Sequence, residues 1–557
     1  MFSQARLTVS LLATAIALAK PAGEPYDYVI IGGGTTGFTA AVRLTENSNI
    51  RVAVIEAGGT GIGNPNITDL RNRQLNSGTE VDWQLPTVPQ TSAGGRIYTH
   101  TQGKTLGGSS AINGAVYFRP DVREFDAIEA LGAKGWTWER FLEYFKRSEH
   151  FTATGETFGL EPNASAHGAG GHGVIERPER VTYCYLRGFF AEYAIPTIQN
   201  IDQPLNGDNS DGNTVGATSQ QFNRENLKVF TDSLVSKIIW GEDEDGLAIA
   251  TGVEYITDNR IGSLSAKSII VSAGALNTPK LLELSGIGNA SHLESLGIDV
   301  KVDNTGVGNN LQNHISSNVA FKLKDGVVKG SETQAAIIDL VSAQQLLTEE
   351  DQAKSTEILS TANNPVSQSQ FNASKKLIAD GLPQIEINWS LQNSSDGRVT
   401  LQFTNTVLHT ISCGFIHANS SDPQTKPTIN PDYLSSVHDL YYLARSILYV
   451  RNYTATEPLA SLIESEIAPG ANYTTAEDVE QWVVPNFWTM SHFVGTAAAL
   501  PKEDGGVVDP ETLVVYGTSN VRVVDCSVIP FLPGIHTESI AYAIGEWAAD
   551  IIKREND

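Results

Sequence analysis

Gly32, Gly34 and Gly37 stand in the spacing G-x-G-x-x-G, and Glu56 follows nineteen residues after the last of them. Residue types at these intervals can hold two linked phosphates and a ribose. The first glycine permits a tight turn, the second lets backbone N–H groups approach a pyrophosphate, and the third lets a helix pack closely on a strand. Thr35 and Thr36 lie between the glycines, on the approach to a helix whose N-terminus offers unpaired N–H groups and partial positive charge. A carboxylate at Glu56 can accept both hydroxyls of an adenosine ribose. The reading is a dinucleotide site; the bland alternative is an ordinary strand–helix turn.

Two further segments have a composition suited to close backbone approach. GKTLGGSSAINGAVY, at Gly103–Tyr117, packs glycines, serines and an Asn-Gly pair into one stretch. GALNTPKLLELSGIG, at Gly274–Gly288, follows an apolar strand, Ser268–Ala273, and its small residues would let the strand end pass against a pyrophosphate or adenine. Either one, taken singly, could equally be a structural glycine turn.

These groups must be positioned by alternating strands and helices. Tyr28–Ile31 reads as a short apolar strand, Phe38–Leu44 as a helix, and Val52–Ile55 as a strand ending on Glu56. Glycine-rich, strand-like character returns at about 225–315 and 500–557. Between these regions the chain changes: QIEINWSLQ, GRVTLQF and TVLHTISCGF alternate with period two, the mark of an antiparallel sheet with one covered face. Val437–Tyr449 reads as an amphipathic helix. The fold class expected is α/β, with α+β character overall. A Rossmann-like dinucleotide-binding domain (24–150, 225–315 and 485–557) is interwoven with a substrate domain (151–224 and 316–484) built on an antiparallel sheet with helices. A cleft between two domains is a favoured place for a small ligand.

Bulk properties narrow the partners. A net charge of −25 argues against nucleic acid and against an anionic membrane surface. Residues 1–19 read as a signal peptide, with Arg6 as the basic region, Leu7–Leu18 as the apolar region and Ala17-Leu18-Ala19 as the cleavage site. That apolar run is too short to span a bilayer, and no later one is long enough. Secretion agrees with N-x-[ST] acceptors for N-glycans at Asn66, Asn163, Asn289, Asn372, Asn388, Asn393, Asn419, Asn452 and Asn472. The three cysteines (Cys184, Cys413 and Cys526) allow at most one disulfide, and Cys526, in the apolar run VRVVDCSVIP, reads as a buried thiol. Metal ligands at metal-binding spacing are not evident.

The segments GKTLGGSSAINGAVY and GALNTPKLLELSGIG closely match the two signature sequences of the glucose–methanol–choline (GMC) oxidoreductases. VGNNLQNH at Val307–His314, HFVGTAAALPKEDGGVVDP from His492, YGTSNVRVVDCSVIP and HTESIAYAIGEWAADII follow in the family's order. The sequence resembles the family along nearly its whole length after the first segment, and most of all its fungal aryl-alcohol-oxidase-like branch, which includes enzymes of secondary-metabolite and mycotoxin pathways.

The resemblance implies FAD as the dinucleotide. It puts Gly32, Gly34 and Gly37 along the pyrophosphate and Glu56 on the adenosine ribose. Gly107, Ser109, Asn113 and Gly114 then lie along the isoalloxazine and ribityl chain, Val235 at the adenine, Asp525 near the ribityl–phosphate region and Thr537 beside the flavin ring. Ile112 stands where some members carry the histidine that bonds FAD covalently, so non-covalent FAD is expected. The resemblance also makes His492 and His536 the active-site pair, His492 as base and His536 as the partner that positions the substrate oxygen, or the reverse. An imidazole titrating near neutrality suits removal of a hydroxyl proton while hydride leaves for flavin N5.

The implied activity is oxidation of an aromatic, allylic or related small alcohol, with O2 or a quinone reoxidising the cofactor. The family also contains hydroxynitrile lyases and a ring-closing enzyme that hold FAD without redox turnover, so a cyclase or lyase is the alternative; a non-catalytic flavin-binding protein would need no histidine pair. Tyr117, Phe118, Trp488 and Phe531 are candidates for an aromatic pocket wall. Pro120 and Ile128, where the family favours glycine and an aromatic residue, are expected near the cleft entrance.

Overall fold

The apolar run Tyr26–Ile31 forms strand β1, buried over its last four residues, and the chain turns at Gly32 into helix α1, Thr35–Leu44. All four residues of β2, Val52–Ile55, are buried, as a strand covered on both faces requires. The computed structural model describes residues 24–68, 70–114, 119–152, 173–176, 224–326, 337–361, 367–393 and 397–556. In it β1 and β2 belong to a seven-stranded sheet whose other strands come from far along the chain. These are β3 (Leu227–Phe230), β4 (Leu234–Trp240), β5 (Ala250–Thr257), β6 (Arg260–Val271) and the strand Val521–Val523.

The order is β3-β2-β1-β6-β5-β4, with Val521–Val523 also paired to β6. β6 is long enough for two duties. Arg260–Ser265 pair antiparallel with β5, while the later residues run parallel to β1 and to Val521–Val523. This parallel half gathers the C-terminal ends of β1, β2, β6 and Val521–Val523 at one edge, where α/β sheets bind ligands. The join is tight: Gly32 N–H donates to Ile55 O, Ser272 N–H to Ile31 O and Val524 N–H to Val271 O, each at 2.8 Å. Helix α2, Thr278–Leu284, follows β6.

The second sheet holds β7 (Ile315–Leu323), β8 (Ile337–Ser342), β9 (Pro383–Asn393), β10 (Val399–Val407), β11 (Ile463–Ala468) and the short β12 (Trp488–Thr489). All pairings are antiparallel, in the order β8-β9-β10-β7-β11 with β12 on β7. Period-two burial explains its two faces. Ile315, Val319, Phe321, Leu401 and Phe403 join a core that includes Tyr442, Leu443 and Ile447 of helix α3, Val437–Thr454. The other face carries two polar rows, Glu386–Thr406–Ser316 and Asn388–Thr404–Asn318, in register across β9, β10 and β7. The C-terminal helix α4, Glu538–Asn556, returns to the first sheet, where Glu546 meets Arg43 of α1 at 2.7 Å.

Several elements exceed the sequence-based bounds. α1 starts at Thr35 and α3 runs on to Thr454, because the neighbouring sheets supply packing that the local pattern does not show. Cys526 opens a 3₁₀ turn after the strand Val521–Val523 instead of lying within it, and Cys413 and Cys526 are free thiols. Ile128 is 1% exposed in the main core, so it is no part of a cleft entrance: it falls on the inward face of a helix, Val122–Ala130. The expected signal peptide, Asn163, Cys184, Tyr117 and Phe118 lie outside the described residues. Among the described residues no helix is long and apolar enough to cross a membrane.

Candidate active site

A cavity of about 600 Å³ opens at the gathered strand ends and reaches from the glycine turn to the second sheet. At one end, Gly32 has a φ of +102°, and a Cβ there would lie 2.3 Å from Ser272 O. A Cβ on Gly37 would lie 2.4 Å from Gly32 O, so these two glycines serve close packing of turn, helix and β6. Gly34 is different. It caps α1 in extended conformation without a side-chain cap bond, and a Cβ there would find nothing nearer than Gly108 Cα at 3.8 Å. The first N–H groups of α1 therefore have no partner inside the helix and border open space, with Thr35 and Thr36 at the wall.

Glu56 also lines the cavity, and burial pushes its carboxyl up to about 7. Its two oxygens accept from Gly33 N–H and Gly58 N–H, both at 2.8 Å. With Ala57 N–H as a third donor, the carboxylate still has acceptor capacity left for a ribose hydroxyl. Val235, Ser109, Asn113, Gly114 and Thr537 border the same space, whereas Gly37 and Gly107 do not. Gly107 instead ties the first signature segment to the fingerprint, its N–H donating to Gly33 O at 2.8 Å. Asp525 acts as a clamp on the other side: it accepts from Ser527 N–H at 2.8 Å, Gly274 N–H at 2.9 Å and Thr278 Oγ1 at 2.5 Å. Burial raises its carboxyl above the ordinary range despite these donors.

Among the described residues, three buried polar atoms of the cavity wall have no partner: Gln102 Oε1, Asn277 Nδ2 and Glu538 Oε1. A polar, elongated ligand that brings donors and acceptors would satisfy them, since buried polar groups are rarely left unpaired. FAD meets that requirement, with a helix N-terminus for its phosphates and an acid for its ribose. Gly32, Gly34, Glu56 and Asp525 thus fit the group the sequence implied.

At the other end stand the histidines. His492 and His536 have ring centroids 4.6 Å apart, and both line the cavity. His492 N–H donates to Asn313 Oδ1 at 2.7 Å, and its Nδ1 lies 2.9 Å from Nδ1 of His314. His314 Nε2 lies 2.9 Å from Leu408 O. A carbonyl can only accept, so the short Leu408 contact favours a proton on His314 Nε2 and a bare Nδ1, with the Pro533 carbonyl a second, weaker acceptor at the same ring. His492 must then donate from Nδ1, which leaves its Nε2 with a lone pair. Burial, followed by the neighbouring His536 and His314, holds His492 well below 6.5, and burial takes His314 down to about 3, so both stay neutral. His536 Nε2 lies 3.1 Å from Oε1 of Glu386, a buried carboxyl on β9.

His314, Glu386 and Asn313 were not singled out from sequence. His314 sat inside the quoted VGNNLQNH without a role, and nothing local pairs Glu386 with a histidine 150 residues away. Trp488 lines the cavity, its indole N–H donating to Asn318 Oδ1 at 3.3 Å. Phe531 does not: it is 4% exposed in the main core, because the proline- and glycine-bearing loop around it folds the ring inward. Asn388, a candidate glycan acceptor, also borders the cavity, where a glycan would have to occupy the space a ligand needs. Elsewhere, Glu283, His292 and His417 bring ligand atoms within 4.8 Å of one another. They are already partnered, Glu283 with His417 Nδ1 at 2.7 Å and Ala418 N–H at 2.6 Å, and His292 with Ala418 O at 2.9 Å.

Comparison with known proteins agrees with this arrangement. The N-terminal and C-terminal GMC oxidoreductase family models match residues 26–316 and 410–545. The chain is 36% identical to a GMC oxidoreductase family protein, Mala s 12, of Malassezia sympodialis, over 95% of this chain and 93% of the relative. Among solved structures it is similar to an FAD-dependent oxidoreductase from Chaetomium thermophilum, with a TM-score of 0.81 and 27% identity over 95% of this chain and 99% of the other. It is also similar to a fungal aryl-alcohol oxidase, with a TM-score of 0.79 and 26% identity over 95% and 99% of the two chains. With the glycine turn, the acid at the end of β2 and the facing histidines in one cavity, the chain belongs to the GMC oxidoreductases.

Proposed function

We propose that this chain is a secreted, N-glycosylated enzyme that oxidises the hydroxyl of a small alcohol to a carbonyl. His492 is the base, His536 positions the substrate oxygen, and FAD is held non-covalently. The observation that carries the reading is the His314–His492 contact of 2.9 Å, which supports a proton on His492 Nδ1 and an Nε2 free to accept one. When bound, FAD supplies the acceptor for the hydride of the carbinol carbon and is reoxidised by O2 or a quinone. The hydroxyl proton goes to His492 Nε2, so the alcohol loses one proton and one hydride and becomes the carbonyl. Glu386 holds the His536 ring in place through its contact with Nε2 at 3.1 Å. Ile112, buried and without a nucleophilic atom, supports non-covalent attachment.

The substrate we propose is an aromatic or allylic alcohol, or an intermediate of secondary metabolism. Trp488 at the cavity supports a flat substrate, as does the likeness to a fungal aryl-alcohol oxidase. Anaerobic mixing of the yellow holoprotein with a panel of such alcohols tests the reading. Bleaching of the oxidised-flavin absorbance together with carbonyl formation is the expected result. Conversion of a substrate with no bleaching overturns it in favour of acid–base cyclase or lyase chemistry at the same histidines.

A further inference from the structure

Glu538 is the first residue of α4, two residues after His536. Its Oε2 accepts from Asn113 Nδ2 at 2.9 Å. Its Oε1 is buried with no partner among the described residues, and the residue borders the cavity beside Asn113, Thr537 and His536. That position fixes which part of a cofactor it would meet. The phosphates belong with the glycine turn and the ribose with Glu56. A redox ring must instead lie within reach of the carbon that His492 and His536 hold, which is the end where Glu538 stands.

We infer that Glu538 is a cofactor-contact residue whose unpartnered oxygen hydrogen-bonds a polar edge of the flavin ring and whose charge sets how readily the ring accepts electrons. The inference rests on the flavin reading above and gives one of its wall residues a defined role.

A carboxylate in a buried site opposes the arrival of further negative charge, and its protonation removes that opposition. The groups facing Glu538 offset it only in part. Arg73, on the turn Leu70–Asn76, is buried, but its guanidinium donates to carbonyls, Ile67 O at 3.3 Å and Ser110 O at 2.9 Å. His536 lies on the segment before α4, and Tyr542 follows one turn later on α4 itself. Burial pushes the Glu538 carboxyl up to about 7, against the pull of Asn113, Arg73 and His536, so both forms are reached near neutrality.

The test is a redox titration of the purified holoprotein, which needs no substrate. Glu538→Gln keeps the shape and removes the charge. At about pH 8 the variant should favour two-electron reduction of its flavin about tenfold over the native protein, a shift of about 30 mV. At about pH 6, where the native carboxyl takes up a proton, the two potentials should converge. Equal potentials at both pH values overturn the inference, as does a gap that does not change with pH. Where Glu538→Gln fails to hold FAD, the potential of His536→Ala as a function of pH decides: a break in slope near pH 7 survives if Glu538 is coupled to the ring, and its absence overturns the inference. A colourless native protein sinks the flavin reading itself, whereas a yellow one with unchanged potentials sinks only the role of Glu538.

Discussion

Replacing His314 by phenylalanine keeps a ring of similar size and removes both nitrogens of the relay that ends at His492. In the native chain Leu408 O, His314 and His492 form a directional series: proton on His314 Nε2, lone pair on His314 Nδ1, proton on His492 Nδ1. In the variant the His492 Nδ1–H has lost its acceptor in a buried site, at a cost of about 1–3 kcal/mol. The imidazole escapes that cost by moving the proton to Nε2, the atom whose lone pair the reaction needs. The productive tautomer is then disfavoured by the same amount, which predicts a fall in kcat/KM of about 5- to 150-fold. Removing the base outright, as in His492→Ala, should cost more, about 10²- to 10⁴-fold. The assay is the rate of flavin bleaching at limiting alcohol in an anaerobic stopped-flow instrument, with FAD content checked from the absorbance. A His314→Phe protein that keeps its FAD and reacts within about twofold of the native rate refutes the tautomer argument, because ring proton positions follow here only from that series of partners.

At about pH 8, where its carboxyl is ionised, Glu56→Ala should raise the dissociation constant for FAD by about tenfold or more, since hydrogen bonds to a charged group contribute about 1.5–3 kcal/mol each; a fluorescence titration of apoprotein with FAD that gives the native constant refutes its role at the ribose. His100 is held near 3 by burial, against 6.5 when unfolded, so between these values the unfolded chain binds a proton that the folded one does not. Its contribution is fully present above pH 6.5 and is lost as pH falls, at about 1.4 kcal/mol per pH unit. His100→Phe, in a ring position that already meets Phe493 edge-on, should therefore weaken the acid dependence of urea unfolding by that slope below pH 6.5. A stability difference that does not vary with pH contradicts the assignment.

The parts legible in the sequence are those whose physics is local. Gly32, Gly37 and Glu56 announce themselves because a tight turn, a close helix–strand contact and an acid at a strand end need fixed residue types at fixed short intervals. The period-two pattern of Val399–Val407 likewise reveals a strand with one covered face. β6 shows the limit of such reasoning. Its second half is central to the parallel sheet while its first half belongs to an antiparallel meander, and only partners far away in the chain divide it. Phe531 and Ile128 were misplaced for a related reason. An apolar side chain next to polar or glycine-rich neighbours gives no local sign of whether it faces a cavity or the core.

The histidine pair shows why the functional part needed the fold. A base is defined by the nitrogen left unprotonated, and for His492, the base proposed above, that depends on His314, 178 residues before it, and on a carbonyl at Leu408. The second sheet closes the same site from outside the nucleotide-binding part of the chain. Its row Glu386–Thr406–Ser316 holds His536, and the next row, Asn388–Thr404–Asn318, meets the cavity through Asn388 and steadies Trp488. Strand pleating puts Glu386 and Asn388 on one face of β9, about two rises apart. A register slip of one residue would turn both away together. The apolar face of β10 and β7, locked against α3, thus fixes the partner of His536 and the cavity wall at Asn388 in one step. Under the proposed function, the rate of the chemistry and the fit of the substrate are for that reason coupled through the same strand.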